Sequence, residues 1–187
     1  MLLALDVHYA PKAVVTAAVG FAAWSETVPA VEQVFRSFAA AKPYHPGEFY
    51  RREMPFLIEA ARAAERHARV EVVIVDAYAW LGDGRPGLGA RLFVALGGLV
   101  PVVGVAMSAF AGGNAVPVLR GRSLRPLHVS AAGMDPKEAA ASIRAMHGPH
   151  RLPTLLRRAD QLARGRASPD PSRCLLGWKP PDAPGTG

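Results

Sequence analysis

The sequence predicts an α/β fold in which a mixed β-sheet is covered by helices. Short β-rich segments come first, helical and β-rich segments then alternate through the middle of the chain, and the last segments are helical. A chain with this order of elements buries a sheet between layers of helices. With 187 residues, half of them hydrophobic, the chain is long enough to form one domain around its own core.

The first segments predict strands that neighbour one another. Residues 2–7 form a short apolar run that contains Asp6 near its end, and residues 13–23 are rich in valine and other β-forming residues. Residues 24–28 predict a third strand, and a hairpin or meander would join the three.

Helical spacing begins after these strands. Residues 29–41 predict a helix, because four apolar side chains recur on one face: Val31, Val34, Phe35 and Phe38. Residues 42–47 hold two prolines and a glycine, which predicts a loop. An amphipathic helix is expected over residues 49–69. The β-branched run at 70–75 then predicts a central strand that ends in Asp76 and is buried on both faces.

The remaining elements alternate in the same way. A glycine-rich loop is predicted over residues 81–89, a helix over 90–97 and a buried strand over 102–106. Two further short strands at 115–119 and 127–130 complete the predicted sheet.

Two helices are predicted at the end of the domain. The first spans residues 136–146 with Asp135 as its N-cap, and the second spans 153–164. We therefore expect a domain over residues 1–166. Residues 167–187, rich in proline and glycine, are expected to form an irregular tail.

The chain is basic, with a net charge of +7 and an isoelectric point of about 10.2. This charge favours a polyanionic partner such as DNA or RNA, although a GC-rich genome also places arginine on protein surfaces. The arginines concentrate toward the C-terminal half, which favours a binding face: Arg120, Arg122, Arg125, Arg144, Arg151, Arg157, Arg158, Arg164 and Arg166.

Composition also argues against several protein classes. No uninterrupted run of about 18 apolar residues occurs, so a membrane span is not expected. The N-terminus lacks the basic region of a signal peptide. The single cysteine, Cys174, excludes an intramolecular disulfide and a cysteine-rich zinc site, which fits a reducing cytoplasm.

Three carboxylates stand where metal ligands are often found. Asp6 and Asp76 lie near the ends of two predicted strands, and Glu53 lies one turn into the helix after the proline-rich loop. Ligands gather beyond the carboxyl ends of parallel strands, and hard oxygen donors suit Mg²⁺ or Mn²⁺. An acid of this kind, taken singly, is more often a strand-end residue that caps a loop or pairs with arginine.

Six segments, in this order, resemble motifs of the endonuclease V family: residues 5–9, 43–47, 49–55, 73–76, 101–106 and 151–160. The resemblance covers roughly residues 2–163. It implies an RNase H-like fold and metal-dependent cleavage of a phosphodiester near a deaminated purine, chiefly inosine, in DNA or RNA.

The resemblance also implies roles for individual residues. Asp6 and Asp76 would bind Mg²⁺ or Mn²⁺, and Glu53 would be catalytic and also hold the metal. The substrate would contact Ala77, Gly104 and a wedge loop in which Tyr44 stacks where a base is turned out: Pro43, Tyr44, His45, Pro46 and Gly47.

Several positions depart from the family pattern. Residues 77–79 are Ala-Tyr-Ala where the family has glycine at both ends, residues 82–86 replace a histidine-proline element, and Met107 replaces a lysine. A glycine-histidine pair survives only as Gly133. Asp83 and Asp135 are possible additional acids.

Three functions stay open at this point. The first is a nuclease acting on deaminated nucleic acid. The second is a nucleic-acid-binding protein on the same fold that has lost catalysis. The third is a nuclease of different substrate, with a pocket reshaped by Tyr78 and Trp80. The sequence predicts no particular oligomeric state.

Overall fold

The structure, a computed structural model, describes residues 1–38 and 49–174. Its regular elements are seven strands and four α-helices, in chain order: β1 (Leu2–Ala10), β2 (Ala13–Phe21), β3 (Val31–Ser37), α1 (Phe49–His67), β4 (Val72–Val75), α2 (Leu88–Ala95), β5 (Val102–Ala106), β6 (Val116–Val118), β7 (Leu127–Ala132), α3 (Pro136–Ala145) and α4 (Thr154–Ala163). Two short 3₁₀ turns lie at Gly82–Gly84 and Pro171–Arg173. None of the described helices is both long and apolar enough to cross a membrane.

All seven strands form one mixed sheet, in the order β3-β2-β1-β4-β5-β7-β6. The central strands β1, β4 and β5 run parallel, and each outer pair runs antiparallel. The predicted α/β fold with a mixed sheet flanked by helices is thus confirmed.

Helices cover both faces of the sheet because the central strands are apolar on both sides. On one face Leu3 and Val73 pack with Leu57 of α1 and Leu92 of α2. On the other face Ala4, Ile74 and Val103 pack against α3 and α4 through apolar side chains that include Ile143, Leu155 and Leu162. This double burial explains why β4 and β5 are continuous apolar runs rather than alternating ones.

Two predictions at the start of the chain were wrong. Residues 24–28 form turns rather than a strand, and the segment predicted as a helix over 29–41 holds β3 instead. The spacing of Val31, Val34 and Phe35 suits a helix, but β3 pairs along β2 from Val31 to Ser37. Both of its faces are covered, so helical and strand patterns look alike over so few residues.

The edge strand β3 carries a buried acid, Glu32, whose exposed fraction is 1%. Its carboxylate accepts two hydrogen bonds from the Arg158 guanidinium of α4, at 2.6 and 2.8 Å, and one from the backbone N–H of Asp170 at 2.8 Å. Burial alone would raise the pKa of Glu32, but these donors outweigh it and lower the pKa. Glu32 therefore fastens β3 to α4 and to the segment at 168–174, which belongs to the predicted tail.

We expect Arg158→Met to destabilise the protein by about 3 kcal/mol at pH 7, because it leaves a buried carboxylate without its cation. A carboxyl group whose folded pKa is depressed contributes stability above its ordinary pKa and loses it as pH falls. Without the guanidinium, burial raises the pKa of Glu32, so the deficit should shrink as pH falls from 7 toward about 4 and the variant takes up a proton. Urea denaturation across this pH range measures it, with Arg157→Met on the exposed side of the same helix as the matched control. Equal losses for both variants would contradict the role of Glu32.

Candidate active site

Asp6 and Asp76 lie side by side, one on the central strand β1 and the other directly after its parallel neighbour β4. Strands β1 and β4 are parallel neighbours with Leu5 opposite Val75, so the next residue on each strand is one of the two aspartates. Side chains alternate along a strand, which directs both carboxylates to the face covered by α4. The prediction that the two acids share an edge of adjacent strands is confirmed, although Asp6 lies in the middle of a longer strand than expected.

The two aspartates line a cleft of about 230 Å³ between the sheet and α4. Apolar residues form most of its wall, among them Ile74, Val105, Met107, Leu152 and Leu156. Asp160 and Arg164 of α4 complete the wall, and the Arg164 guanidinium donates a short hydrogen bond to the Asp160 carboxylate. The cleft therefore holds three carboxylates and one guanidinium among apolar surroundings.

Glu53 comes from the other layer, on the second turn of α1, and its exposed fraction is 7%. Burial raises its pKa to about 8, and the charges of Asp6 and Asp76 add to the rise. Beside it, the Arg52 guanidinium lies 4.3 Å from the centre of the Tyr9 ring. Burial and the Glu53 charge together raise the pKa of Tyr9 to about 12.

The pKa values of the two aspartates are raised as well. Burial raises the pKa of Asp6 to about 7, with Asp76 and then Asp160 adding to it. Asp76 is exposed to solvent at the mouth of the cleft, but the protein atoms packed around it raise its pKa as well. Crowded carboxylates repel one another, so their joint ionisation requires protons or a cation between them.

The donor set fits a hard divalent cation. Its donor atoms are carboxylate oxygens, the type that Mg²⁺ and Mn²⁺ prefer, and burial together with neighbouring carboxylates raises the pKa values of Asp6 and Glu53. Within the described residues, however, no three acidic, histidine or cysteine side chains converge tightly enough to form a ready-made metal cluster.

Asp160 was not among the predicted site residues, although it lies within the segment 151–160. The sequence assigns it no role beyond its place in that segment. Its position opposite β1 and β4 follows from the packing of α4 on the sheet, where Ala159 and Leu156 contact the core. Only that packing reveals Asp160 as a further carboxylate of the cleft.

The turn after Asp76 is built on close backbone contacts. A Cβ atom added to Gly104 of β5 would collide with the carbonyl oxygen of Ala77, and one added to Gly89 would lie 2.9 Å from the Cα of Ala79. The backbone N–H of Ala79 also donates to the Ser130 hydroxyl at 2.8 Å. Glycines facing the turn thus make room for the two alanines, and Gly104, predicted to contact substrate, supports Ala77 from below.

The other predicted site residues are distributed as follows. The wedge loop, Pro43 to Gly47 with Tyr44, and the side chain of Asp83 lie outside the described residues. Asp135 is the N-cap of α3, where its carboxylate accepts from the backbone N–H groups of Lys137 and Glu138. Capping therefore accounts for Asp135.

Several of the C-terminal arginines have partners within the fold. Arg120 is buried and donates to five backbone carbonyls in the 144–151 region, Met146 among them. Arg151, Arg158 and Arg164 are also engaged. The exposed members of the set are Arg122, Arg125, Arg144, Arg157, Arg164 and Arg166. The surface charge available to a polyanion is thus smaller than the sequence suggests.

Comparisons with known proteins agree with this architecture. A model of the endonuclease V family matches residues 1–122. The endonuclease V of Geotalea uraniireducens is 32% identical over 183 residues, covering 85% of this chain and 74% of the relative.

Solved structures share the fold. An endonuclease V from Ciona intestinalis, in complex with a 24-mer DNA that contains inosine followed by a ribo-adenosine, has a TM-score of 0.72 at 17% identity and covers 88% of this chain and 84% of that one. The catalytic domain of human endonuclease V has a TM-score of 0.68 at 24% identity, covering 88% and 81%. The family match and the identity to the Geotalea protein, on a fold that these structures share, show that this chain belongs to the endonuclease V family.

Proposed function

We propose that this protein is a Mg²⁺- or Mn²⁺-dependent endonuclease that cleaves a phosphodiester near a deaminated purine, inosine, in DNA or RNA. The observation that carries the proposal is the position of Asp6 and Asp76 side by side on adjacent parallel strands. Glu53 lies near enough for the charges of both to raise its pKa. Family membership and the inosine-containing DNA bound by the Ciona protein support the choice of substrate.

In this proposal the acids divide the chemistry among them. Asp6 and Asp76 would hold the metal, with Asp160 within electrostatic reach of both. A bound Mg²⁺ supplies a Lewis acid that offsets charge on the scissile phosphate and favours attack by water. Glu53, the most deeply buried of the acids, would hold the metal or orient the attacking water. Arg164 would attract the phosphate to the cleft.

The second candidate is a nucleic-acid-binding protein on the same fold without catalysis. The observation that favours it is Met107, which lines the cleft where the resemblance leads us to expect a lysine. An uncharged side chain there removes one source of charge stabilisation for a transition state at phosphate. Binding without cleavage under every metal condition would select this candidate.

We expect Asp76→Asn to abolish cleavage, because the change keeps the side chain's size while removing a charged ligand from the dication. Cleavage is measured on inosine-containing single- and double-stranded DNA and RNA with Mg²⁺, Mn²⁺ or a chelator. Asp135→Asn is the matched control, since an amide oxygen can still cap α3. Full activity of Asp76→Asn, or equal cutting in chelator, would show that the metal mechanism is wrong.

The raised pKa values predict how metal binding depends on pH. Asp6 and Glu53 bind protons more tightly in the folded protein, so their contribution to the stability of the metal-free protein falls as pH rises from about 4 to about 8. Mn²⁺ must displace those protons and binds the ionised groups. We therefore expect Mn²⁺ to raise the melting temperature more at pH 8 than at pH 5.

Glu53→Gln tests how the ionisation of Glu53 affects the stability of the metal-free protein. This variant should melt at a higher temperature than the wild type at pH 8, and the difference should shrink toward pH 5 as Glu53 becomes protonated in the wild type. Glu59→Gln, on an exposed position of the same helix, is the control. If the melting temperature of Glu53→Gln varies with pH just as that of the wild type does, the raised pKa of Glu53 is contradicted.

We expect Tyr44→Ala to weaken substrate binding while leaving metal binding intact, because the proposed wedge touches the nucleic acid and not the cation. Loss of one stacking contact costs about 1–3 kcal/mol, so the dissociation constant should rise roughly 5- to 150-fold. Fluorescence anisotropy with an inosine-containing oligonucleotide measures the binding, and the Mn²⁺-induced melting shift reports the metal. A variant that binds substrate like the wild type would exclude the wedge role.

A further inference from the structure

An apolar surface adjoins the acidic cleft where β5 ends. The five residues that follow β5, from Met107 to Ala111, carry no charge. The Met107 side chain is 43% exposed and lines the cleft, and that of Phe110 is 39% exposed. Large apolar side chains exposed beside a polar site mark a place where a ligand contacts the protein.

The backbone under this surface is held from the neighbouring turn. The Tyr78 hydroxyl donates to the Ser108 carbonyl at 2.7 Å and accepts from the backbone N–H of Phe110 at 3.0 Å. The Tyr78 and Phe110 ring centres lie 6.0 Å apart, with the ring planes inclined at 57°. Tyr78 therefore supports Phe110 both through its ring and through the backbone.

Two further contacts fasten the ends of the segment. The Arg151 guanidinium donates a short hydrogen bond to the Met107 carbonyl and another, at 2.6 Å, to that of Pro126. The Gly82 backbone packs so closely on the Gly112 carbonyl that an added Cβ would lie 2.5 Å from its oxygen. The surface is thus ordered before any ligand arrives, so less conformational freedom remains to be lost on binding.

The chemistry of the surface identifies its ligand. The side chains at 107–111 offer no cation to a phosphate group, and their one hydrogen-bond donor is the Ser108 hydroxyl. A phenyl ring and a thioether suit a flat, polarisable, largely apolar ring, and any nucleobase presents such a face. Because Met107 also lines the cleft that holds Asp6 and Asp76, a base bound here belongs to a strand whose phosphates pass those acids.

We propose that the surface formed by Met107 and Phe110, supported by Tyr78, binds a nucleobase of the strand being cleaved, stacked on the Phe110 ring, and thereby positions the phosphodiester at the acidic cleft. This inference rests on the proposed nuclease function and adds a contact that depends on this chain's own Tyr78, Met107 and Phe110.

The experiment is a mutant cycle between protein and substrate. Binding is measured by anisotropy with a single-stranded inosine oligonucleotide and with a series in which each neighbouring base in turn is made abasic. Ca²⁺ replaces Mg²⁺, and electrophoresis checks that the strand stays intact. We expect Phe110→Ala to weaken binding of the intact strand by roughly 5- to 150-fold. Removal of one particular base should weaken binding by the wild type by a similar factor. Removal of the same base should not weaken binding by Phe110→Ala any further.

Control variants separate stacking from other effects. Leu99 precedes β5, at the end of the strand opposite to Met107, and its side chain is 86% exposed. Leu99→Ala should therefore bind the oligonucleotide like the wild type. Phe110→Ala should leave the salt dependence of binding unchanged, whereas Met107→Lys should steepen the log–log slope by about 0.7 on single strands. Melting curves of each variant confirm that it is folded.

The outcomes are distinguishable. If Phe110→Ala binds the intact strand as tightly as the wild type, or loses the same factor on every abasic strand, the stacking proposal is overturned, while wild-type binding and cleavage leave the nuclease function standing. If the wild type binds no oligonucleotide at all, the proposed function itself fails, and the stacking proposal fails with it.

Discussion

The parallel pairing of β1 with β4 is the constraint on which the rest of the site depends. It places Asp6 and Asp76 next to each other at the edge of a sheet that is apolar on both faces. Two helices bring further acids near them: Glu53 of α1, whose pKa the charges of both aspartates raise, and Asp160 of α4, which lines the same cleft. The packing that stabilises the domain therefore also concentrates negative charge where solvent screening is weak.

Sequence patterns could predict this centre because a short apolar run directly precedes each aspartate, residues 2–5 before Asp6 and residues 72–75 before Asp76. They failed at β3, where Glu32 interrupts the apolar pattern. Its partner, Arg158, lies 126 residues away, so no local pattern reveals why an acid is tolerated in a buried strand. Asp160 was missed for a related reason: its proximity to Asp6 is set by the packing of α4 on the sheet, which no local pattern reveals.

Residues 77–79 and Met107, which depart from the family pattern, are connected in space. Ala77 and Ala79 are accommodated by Gly104 and Gly89 opposite them, and Tyr78 between them reaches the backbone of the segment that begins with Met107. Substitutions that sequence comparison shows as separate losses are thus linked in space by packing and hydrogen bonds. The turn and the segment that it supports present aromatic and apolar surface beside the cleft instead of a cation.

The acids themselves bear on whether catalysis persists. Burial raises the pKa values of Asp6, Glu53 and Asp76, and neighbouring carboxylates add to the rise: Asp76 and Asp160 at Asp6, both aspartates at Glu53, and Asp160 at Asp76. The nearby cations Arg52 and Arg164 lower these pKa values only in part. In a protein that only binds nucleic acid, this crowding would weaken the fold above neutral pH and would repel the phosphates of the ligand. A divalent cation removes both penalties at once, because it neutralises the carboxylates and presents positive charge to the backbone of the strand. The electrostatics of the cleft therefore favour a metal-dependent nuclease over a binding protein that has lost its chemistry.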